Sequence, residues 1–340
     1  MSSKQLVEVA QAMVAEGRGI LAIDESSGTI AKRLKSVNME STEANRRAYR
    51  DMLLTTPGLG EHISGAILYD ETIRQSALDG TLFVDVMNAA GVIPGIKVDT
   101  GAHNLAGHPG EKVTEGLDGL RDRLKEYVSL GAKFAKWRAV ITIGDNIPTS
   151  ACVEANAHAL ARYAALCQEA GVVPMVEPEV LMDGDHSIDT CYEVTEATLR
   201  SLFSHLYEQN VLLEGTILKT SMVISGSEAS DRAGVQEVAE ATIQCLLNGV
   251  PAALAGVVFL SGGQSDIEAT EHLDAMNKLG GLPWPLSFSY GRALQAPSLQ
   301  IWGENPEQNV GKAQQALAHR ARMNGLAATG RYETALEEAA

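Results

Sequence analysis

The chain has 340 residues, 45% of them hydrophobic, which suffices for one large domain or two modest ones. Its formal net charge of −16 argues against nucleic acid and anionic membranes as partners, because both need a basic protein face. No apolar run reaches the roughly 18 residues of a membrane span, no signal-peptide pattern is visible, and the cysteines show no C-x-x-C motif, which together predict a cytoplasmic protein with reduced thiols.

Short apolar segments bounded by Gly, Pro, Asn or Asp alternate with helical patterns along most of the chain. Such segments are typical of strands buried on both faces, as in a parallel sheet. The predicted strands are 19–24, 65–69, 94–99, 134–140, 173–180, 213–219, 256–261 and 285–290. Eight strands with intervening helices fit an α/β fold of the (β/α)8 TIM barrel type, and a doubly wound sheet is the alternative.

Helical periodicity predicts further elements between and around these strands. The predicted helices are 4–15, 42–54, 153–169, 187–208 and an alanine-rich tail that runs from 307 to about Gly330. No low-complexity linker divides the chain. We therefore expect one domain over residues 1–340, with extra N-terminal and C-terminal helices around the barrel.

Polar side chains recur at or near the predicted strand ends. The series consists of Lys97, Lys136, Glu177, Lys219 and Ser261. Successive members are 39 to 42 residues apart, which is about the length of one strand–helix unit of a barrel. Asp24 ends the first strand at the same level. Equal spacing would bring these groups to the C-terminal mouth, where barrel enzymes hold their chemistry. Charged residues that merely cap strands in solvent are the plain alternative, but three of the series are lysines in a chain with only 11.

A lysine in such a position can act as a nucleophile. Lys219 is the only lysine between Lys136 and Lys278. Burial and neighbouring cations, here Lys97, Lys136 and Arg138, lower the pKa of an amine. Moving the pKa of a lysine from about 10.4 to about 7–8 requires about 4 kcal/mol of destabilisation of the charged form. The neutral amine can then attack a carbonyl carbon and form a Schiff base.

The segment Val-Glu-Pro-Glu-Val places two carboxylates on one strand. Glu177 and Glu179 are two residues apart, so they point to the same face. Like charges at this range raise the pKa of one partner, so that one carboxyl could transfer protons while the other stays anionic. Pro174 and Pro178 leave an irregular strand end as the alternative interpretation.

Two Gly-rich turns follow the last two predicted strands. Residues 259–265 read Phe-Leu-Ser-Gly-Gly-Gln-Ser and residues 288–292 read Phe-Ser-Tyr-Gly-Arg. Backbone N–H groups in such turns can hold a phosphate, and these loops are the usual phosphate site of TIM barrels. A third polar turn after the first strand offers Ser26, Thr29 and Arg33 for a second phosphate. Two phosphate sites beside a lysine cluster predict a bis-phosphorylated sugar as substrate.

Other common sites find little support in the sequence. There is no G-x-x-x-x-G-K-[ST] motif, and the Gly17-Arg18-Gly19 run precedes a strand, whereas a dinucleotide-binding fingerprint follows one. The histidines include no H-x-H or H-E-x-x-H, and the run from Asp183 to His186 is more simply a turn. We therefore predict neither a cofactor nor a metal. The Schiff base on the lysine would withdraw electrons from the substrate in place of a metal that polarises the carbonyl.

Seven motifs stand in order between residues 5 and 332. They are Gly-Ile-Leu-Ala-Ile-Asp-Glu-Ser (19–26), Gly-Ile-Lys-Val-Asp (95–99), Phe-Ala-Lys-Trp-Arg (134–138), Val-Glu-Pro-Glu (176–179), Glu-Gly-Thr-Ile-Leu-Lys (214–219), Phe-Leu-Ser-Gly-Gly-Gln-Ser (259–265) and Ser-Tyr-Gly-Arg (289–292). This set resembles class I fructose-1,6-bisphosphate aldolases of the bacterial type. The resemblance implies metal-independent, reversible cleavage of fructose 1,6-bisphosphate to dihydroxyacetone phosphate and glyceraldehyde 3-phosphate, a step of glycolysis and gluconeogenesis.

The resemblance also implies a role for each catalytic residue. Lys219 would attack the C2 carbonyl, and Glu177 would be the acid and base of carbinolamine formation and dehydration, with Glu179 supporting it electrostatically. Asp24 would assist cleavage of the C3–C4 bond and contact the C4 hydroxyl. Lys136 would stabilise charge during the reaction.

The same resemblance implies the substrate-binding residues. Lys97 would help to orient the open-chain sugar. The residues implied for the C1 phosphate are Ser261, Gly262, Gly291 and Arg292. The residues implied for the C6 end are Ser26, Thr29, Lys97 and Arg138. Ser289 and Arg33 complete the predicted substrate-binding set.

The chain departs from the resembled family in two places. Many members end in a tail whose terminal Tyr aids proton transfer, and here the last tyrosine, Tyr332, comes too early to match. Another base, such as Glu177, or water is therefore expected to take over that step. Thr220 and Ser221 follow the predicted nucleophile, where eukaryotic members commonly have Pro-Asn.

The resemblance implies a homodimer or homotetramer. Two rival functions stay open on the residues alone. One is another Schiff-base lyase or transaldolase that acts on a sugar monophosphate, and the other is a non-catalytic barrel used as a binding scaffold.

Overall fold

Eight parallel strands close into a barrel within residues 2–339, the part of the chain that the computed structural model describes. The predicted domain also includes Met1 and Ala340, which lie outside the described residues. In chain order the strands are β1 (Gly19–Ile23), β2 (Ile63–Leu68), β3 (Ile93–Lys97), β4 (Gly101–Asn104), β5 (Lys112–Glu115), β6 (Phe134–Ile141), β7 (Val173–Val180), β8 (Ile217–Thr220), β9 (Gly256–Phe259) and β10 (Leu286–Tyr290). The order around the barrel is β1-β10-β9-β8-β7-β6-β3-β2, and β4 pairs with β5 in a separate antiparallel hairpin.

Helices surround the barrel and extend the chain at both ends. They are α1 (Ser3–Met13), α2 (Ser27–Lys35), α3 (Glu43–Leu54), α4 (Asp70–Ile73), α5 (Phe83–Ala89), α6 (Leu120–Ser129), α7 (Ser150–Ala170), α8 (Ile188–Glu208), α9 (Val235–Gly249), α10 (Asp266–Leu279), α11 (Arg292–Glu304) and α12 (Val310–Ala327). Short 3-10 turns lie at Leu59–Glu61, Leu213–Gly215 and Thr334–Ala339. None of the helices in the described part of the chain is both long and apolar enough to cross a membrane.

Apolar side chains fill one end of the barrel. Leu6 and Met13 of α1 pack there against inward-facing strand residues such as Ile20 and Phe134. The Phe134 ring needs the space beside β3, because a Cβ on Gly95 would lie 2.1 Å from its Cζ atom. Burial of these groups is favourable by about 25 cal/mol per Å². The N-terminal helix therefore closes the end of the barrel that lies opposite the polar strand ends.

The closed sheet confirms the predicted (β/α)8 TIM barrel with extra terminal helices. The doubly wound alternative is wrong, because β1 pairs with β10 as well as with β2 and thereby closes the sheet. Most strands lie within two residues of their predicted bounds. The exception is 213–219, because Leu213–Gly215 forms a 3-10 turn and β8 begins only at Ile217.

The predicted helices are confirmed with small shifts in their bounds. α3 begins directly after Thr42, whose Oγ1 accepts a hydrogen bond from the backbone N–H of Asn45 at 3.1 Å, as an N-cap should. The predicted tail helix differs, because α12 starts at Val310 and ends at Ala327, and α11 precedes it. The hairpin of β4 and β5 was not predicted, since its strands, Gly-Ala-His-Asn and Lys-Val-Thr-Glu, lack the apolar alternation that marks a half-buried strand.

Candidate active site

Strand geometry places the polar groups directly above the apolar end of the barrel. Side chains two residues apart on a strand share a face. On β6, β7 and β8, an apolar residue that fills the closed end of the barrel is followed two positions later by a charged residue. The three pairs are Phe134 and Lys136, Met175 and Glu177, and Ile217 and Lys219. The charged layer therefore projects into the barrel interior at its C-terminal end.

A cavity of about 450 Å³ opens at this mouth. Its lining includes every one of the predicted catalytic and binding residues: Asp24, Ser26, Thr29, Arg33, Lys97, Lys136, Arg138, Glu177, Glu179, Lys219, Ser261, Gly262, Ser289, Gly291 and Arg292. These residues come from turns and strands spread over most of the chain. The fold thus brings the predicted set together in one place.

Four charged groups form a continuous network at the bottom of the cavity. The Nζ atom of Lys219 lies 2.9 Å from Oε1 of Glu177. The other oxygen of this carboxylate, Oε2, lies 3.1 Å from Nζ of Lys136, which in turn is 2.7 Å from Oδ2 of Asp24. Lys136, Glu177 and Lys219 are each at most 4% exposed. Lys219 is therefore not isolated among cations, as the sequence suggested, but is in direct contact with a carboxylate.

Burial and neighbouring charges act in opposite directions on these groups. Burial raises the pKa of Asp24, but the ammonium groups of Lys136, Lys219 and Lys97 outweigh it, and the pKa lies well below its usual range. Burial lowers the pKa of Lys136, but the carboxylates of Asp24 and Glu177 reverse this and hold it above the usual lysine range. Asp24 is an anion and Lys136 a cation at neutral pH as a result.

The two glutamates of β7 occupy different environments. Burial raises the pKa of Glu177, but Lys136, Lys219 and Arg138 together lower it below the ordinary value for a glutamate. The carboxylate of Glu179 accepts a hydrogen bond from Nε of Arg138. The expected rise in pKa through mutual repulsion is therefore wrong for Glu177, because each carboxylate has its own cationic partners.

The polar turn after β1 leads into α2. The hydroxyls of Ser26 and Thr29 are hydrogen-bonded to each other at 3.2 Å, and Ser26 precedes the first residue of the helix without capping it through its side chain. The Ser26 hydroxyl is thus free of a capping role at a helix N-terminus that faces the cavity. The guanidinium of Arg33 donates to Glu25, whose other carboxylate oxygen accepts from Arg50.

The two Gly-rich turns lie beside each other because β9 pairs with β10. In the first, Gly263 has φ of +76°, in the left-handed region that favours glycine, and Ser265 caps α10. In the second, Gly291 precedes α11 and Arg292 is its first residue. The hydroxyl of Ser289 is buried in the cavity wall without a hydrogen-bond partner among the described residues. An oxyanion in the cavity would supply that partner.

Several cavity residues were not among the predicted set. Asp99 and Glu25 are the charged ones, and Gly101 and Ala102 come from the unpredicted hairpin. Asp99 stands two residues after Lys97, so the alternation that placed the other charged groups also indicates its direction. Glu25 carried no such signal, because it lies in a turn. Within residues 2–339, no group of three or more His, Cys, Asp or Glu side chains is arranged to hold a metal ion.

The fold and the site define a class of protein: a TIM barrel whose mouth holds a buried lysine–carboxylate centre together with polar turns from β1, β9 and β10. Comparison with known proteins gives the family. Residues 5–340 match the family model described as Fructose-bisphosphate aldolase class-I. The chain belongs to this family of lyases.

Individual relatives agree over nearly the whole chain. A protein of Xanthomonas axonopodis pv. citri, named "Probable fructose-bisphosphate aldolase class 1", is 66% identical over 333 residues, which cover 98% of this chain and 100% of that protein. "Fructose-bisphosphate aldolase 4, cytosolic" of Arabidopsis thaliana is 54% identical over 318 residues, 93% of this chain and 81% of the plant protein. A solved structure of fructose-bisphosphate aldolase from Plasmodium falciparum, in complex with TRAP and an inhibitor, shares 48% identity at a TM-score of 0.95 and covers 97% of this chain and 95% of its own.

Proposed function

We propose that this protein cleaves fructose 1,6-bisphosphate reversibly to dihydroxyacetone phosphate and glyceraldehyde 3-phosphate through a Schiff base on Lys219. The observation that carries this proposal is the 2.9 Å contact between Nζ of Lys219 and Oε1 of Glu177, at the bottom of a cavity lined by the polar turns that follow β1, β9 and β10. An amine needs a base beside it to become a nucleophile, and it needs an acid to expel water from the carbinolamine. One carboxyl in contact with the amine can do both in turn.

The first half of the reaction forms the iminium ion. Glu177 is ionised in the free enzyme, so it can take one proton from the Lys219 ammonium at 2.9 Å, and the neutral amine then attacks C2 of the open-chain ketose. The proton that the nitrogen loses after the attack passes to the former carbonyl oxygen and gives the carbinolamine hydroxyl. The protonated Glu177 carboxyl then donates to this hydroxyl, which leaves as water. Lys136 stays charged beside Glu177 and stabilises its anionic form at 3.1 Å. Glu179, held by Arg138, supports the same site electrostatically.

The second half breaks the C3–C4 bond. The C4 hydroxyl gives its proton to a base, for which Asp24 is the ionised candidate, and becomes the aldehyde of glyceraldehyde 3-phosphate. The electron pair of the broken bond moves into the iminium ion and gives an enamine. Protonation at C3 and hydrolysis of the resulting iminium release dihydroxyacetone phosphate and restore the Lys219 amine. Glu177 or water is the proposed proton donor to C3.

The two phosphates mark the two ends of the substrate. We assign the C1 phosphate to the paired turns of β9 and β10, through Ser261, Gly262, Gly291 and Arg292, with the buried Ser289 hydroxyl, which has no hydrogen-bond partner among residues 2–339, beside them. We assign the C6 end to Ser26, Thr29, Lys97 and Arg138. Lys97 and Arg138 lie on β3 and β6, across the barrel from β9 and β10, whereas the turn that carries Ser26 and Thr29 follows β1, which pairs with β10. The Arg33 guanidinium lies beside Gly291, on the same side as the C1 phosphate turns. These cationic and hydroxyl groups are suited to phosphate, and the sugar between them would reach Lys219.

Three further properties follow from this assignment as proposals. The chain forms one domain over residues 1–340, assembles as a homodimer or homotetramer, and works in the cytoplasm. A single cooperative unfolding transition tests the first. Light scattering on the purified protein tests the second, and a monomeric mass would contradict it. Fractionation of the cells that produce the protein tests the third.

Borohydride reduction in the presence of fructose 1,6-bisphosphate tests the central proposal. We expect a stable adduct with the mass of dihydroxyacetone phosphate on the peptide that contains Lys219, and none in Lys219→Met. An adduct on another lysine, or full activity in Lys219→Met, would contradict the assignment. Cleavage rates on fructose 1-phosphate and on the bisphosphate separate the proposed activity from that of a lyase for monophosphates. No turnover on either substrate would favour a binding scaffold.

A further inference from the structure

We propose that Asp99 is a positioning residue that holds the Lys97 ammonium at the C6 end of the cavity and thereby sets the preference for a bisphosphate over a monophosphate. This inference rests on the proposed function, and it adds a residue that the seven sequence motifs contained without a role. It stands on the contacts of the segment between β3 and the β4–β5 hairpin.

The Asp99 carboxylate is fixed on one side and engaged on the other. Its Oδ2 atom accepts a hydrogen bond from the backbone N–H of Arg138 at 3.2 Å. Its Oδ1 atom lies 3.2 Å from Nζ of Lys97, and the Asp99 side chain is only 3% exposed. A carboxylate anchored to the backbone of the neighbouring strand β6 gives the flexible lysine chain one defined end point.

The backbone around Asp99 is held from both directions. The N–H of Val98 donates to the carbonyl of Lys136 at 3.0 Å, which continues the pairing of β3 with β6. The N–H of Thr100 donates to the carbonyl of Glu115 at 2.9 Å, which joins the segment to the hairpin. Because each flanking residue is tied to a different element, the carboxylate has little freedom to follow the lysine. The position of the Lys97 ammonium is therefore set by the fixed Asp99 carboxylate.

Lys97 has a competing carboxylate in the same cavity. Its charge helps to lower the pKa of Asp24, so the two groups are within electrostatic reach of each other. Asp24 already binds Lys136 at 2.7 Å and is the proposed base for the C4 hydroxyl. Without Asp99, Lys97 would lose its fixed anion and be drawn towards Asp24, away from the wall that faces the C6 phosphate. Asp99 therefore keeps Lys97 at the C6 end, while Lys136 stays in contact with Asp24.

Loss of the Asp99 charge should affect the bisphosphate and the monophosphate to different extents. Fructose 1-phosphate has the C1 phosphate and the reacting carbons but no phosphate at C6. A misplaced Lys97 should therefore impair cleavage of the bisphosphate much more than that of the monophosphate. General damage to the barrel mouth would reduce both to the same extent, so the ratio of the two rates separates positioning from a merely structural role.

Steady-state kinetics of Asp99→Asn on both substrates tests the proposal. Asparagine keeps the size and the acceptor for the Arg138 N–H but loses the charge. We expect kcat/KM for fructose 1,6-bisphosphate to fall by about ten- to a hundred-fold, and kcat/KM for fructose 1-phosphate to change by less than about three-fold. If Asp99→Asn does not fold, Asp99→Ser, which also lacks the charge, replaces it. Asp122→Asn removes an exposed carboxylate 3.1 Å from Lys125, and as a matched control it should change neither value.

A double-mutant cycle with Lys97→Met completes the test. If Asp99 acts through Lys97, Asp99→Asn adds little to the loss already caused by Lys97→Met. Equal losses on both substrates, or losses that multiply in the double variant, would overturn the proposal. So would a higher kcat/KM for the bisphosphate in Asp99→Asn, since the Asp99 charge would then simply repel the phosphate. A wild-type protein that cleaves neither substrate would instead refute the proposed function.

Discussion

Replacing Lys136 by methionine removes the cation shared by two buried carboxylates. Its Nζ atom lies 2.7 Å from Oδ2 of Asp24 and 3.1 Å from Oε2 of Glu177, and the side chain is 4% exposed. Methionine preserves an unbranched chain of similar length without the charge. The carboxylates then lose their common partner, and burial, which raises the pKa of each, meets less opposition.

The size of the effect follows from this contact. An adjacent opposite charge lowers the pKa of a carboxyl by about one to three units, so its loss should raise the pKa of Asp24 and of Glu177 by a similar amount. The folded-state pKa of Asp24 lies below the ordinary value, so its ionisation stabilises the fold above about pH 4, and this stability is lost as the pH falls through the folded pKa. In Lys136→Met that contribution shrinks or reverses, and we expect a loss of about 3 kcal/mol in the free energy of unfolding at neutral pH.

A pH–rate profile combined with denaturant titration measures these quantities. We expect kcat to fall by about a hundred- to a thousand-fold, and the acid limb of kcat/KM to move to higher pH by about one to three units. Lys125→Met, which removes an exposed lysine 3.1 Å from Asp122, is the matched control and should leave both profile and stability unchanged. A loss of activity with an unmoved acid limb and unchanged stability would refute the idea that Lys136 keeps the two carboxylates ionised.

Three other variants test separate parts of the site and fold. Lys219→Met is expected to abolish turnover while the far-UV circular dichroism stays unchanged; turnover like that of the wild type would contradict the role of this lysine. Arg292→Ala should raise KM by about ten- to a hundred-fold for both fructose 1-phosphate and the bisphosphate, because the C1 phosphate is common to both, and a loss confined to the bisphosphate would place Arg292 at the other end. Burial lowers the pKa of His272 in the folded protein to about 4, whereas its pKa in the unfolded chain is about 6.5. Neutral His272 therefore adds nothing unfavourable above pH 6.5, but as the pH falls the unfolded chain binds the proton first. The free energy of unfolding should decrease for this reason by about 2 kcal/mol at pH 5. His272→Gln should therefore lose less stability than the wild type between pH 7.5 and pH 5 in urea titrations, and an equal loss would speak against this account.

Most strands could be predicted because each is a short apolar run. A strand that is buried on both faces is apolar at successive positions, and this pattern is visible within a few residues of sequence. The near-constant spacing from Lys97 to Ser261 reflects the length of a strand–helix unit, which explains why residues so far apart in sequence line one cavity. The hairpin at Gly101–Asn104 and Lys112–Glu115 left no such trace, since its short polar strands depend on backbone pairing and not on an apolar face. The turn at Leu213–Gly215 differs from the predicted strand because it begins at the end of the apolar run 211–213 and lies just before β8.

The sequence by itself determined which residues reach the mouth of the barrel, because strand periodicity and repeat length are encoded along the chain. Only the tertiary structure decided which of them touch. Parallel pairing places β6 beside β7, and β7 beside β8, so that Glu177 lies in contact with both Lys136 and Lys219. It also places Asp99 between Lys97 and the backbone of β6. Charge pairing acts over a few ångströms between residues about forty apart in sequence, so their partners and the direction of their pKa shifts depend on the closed barrel.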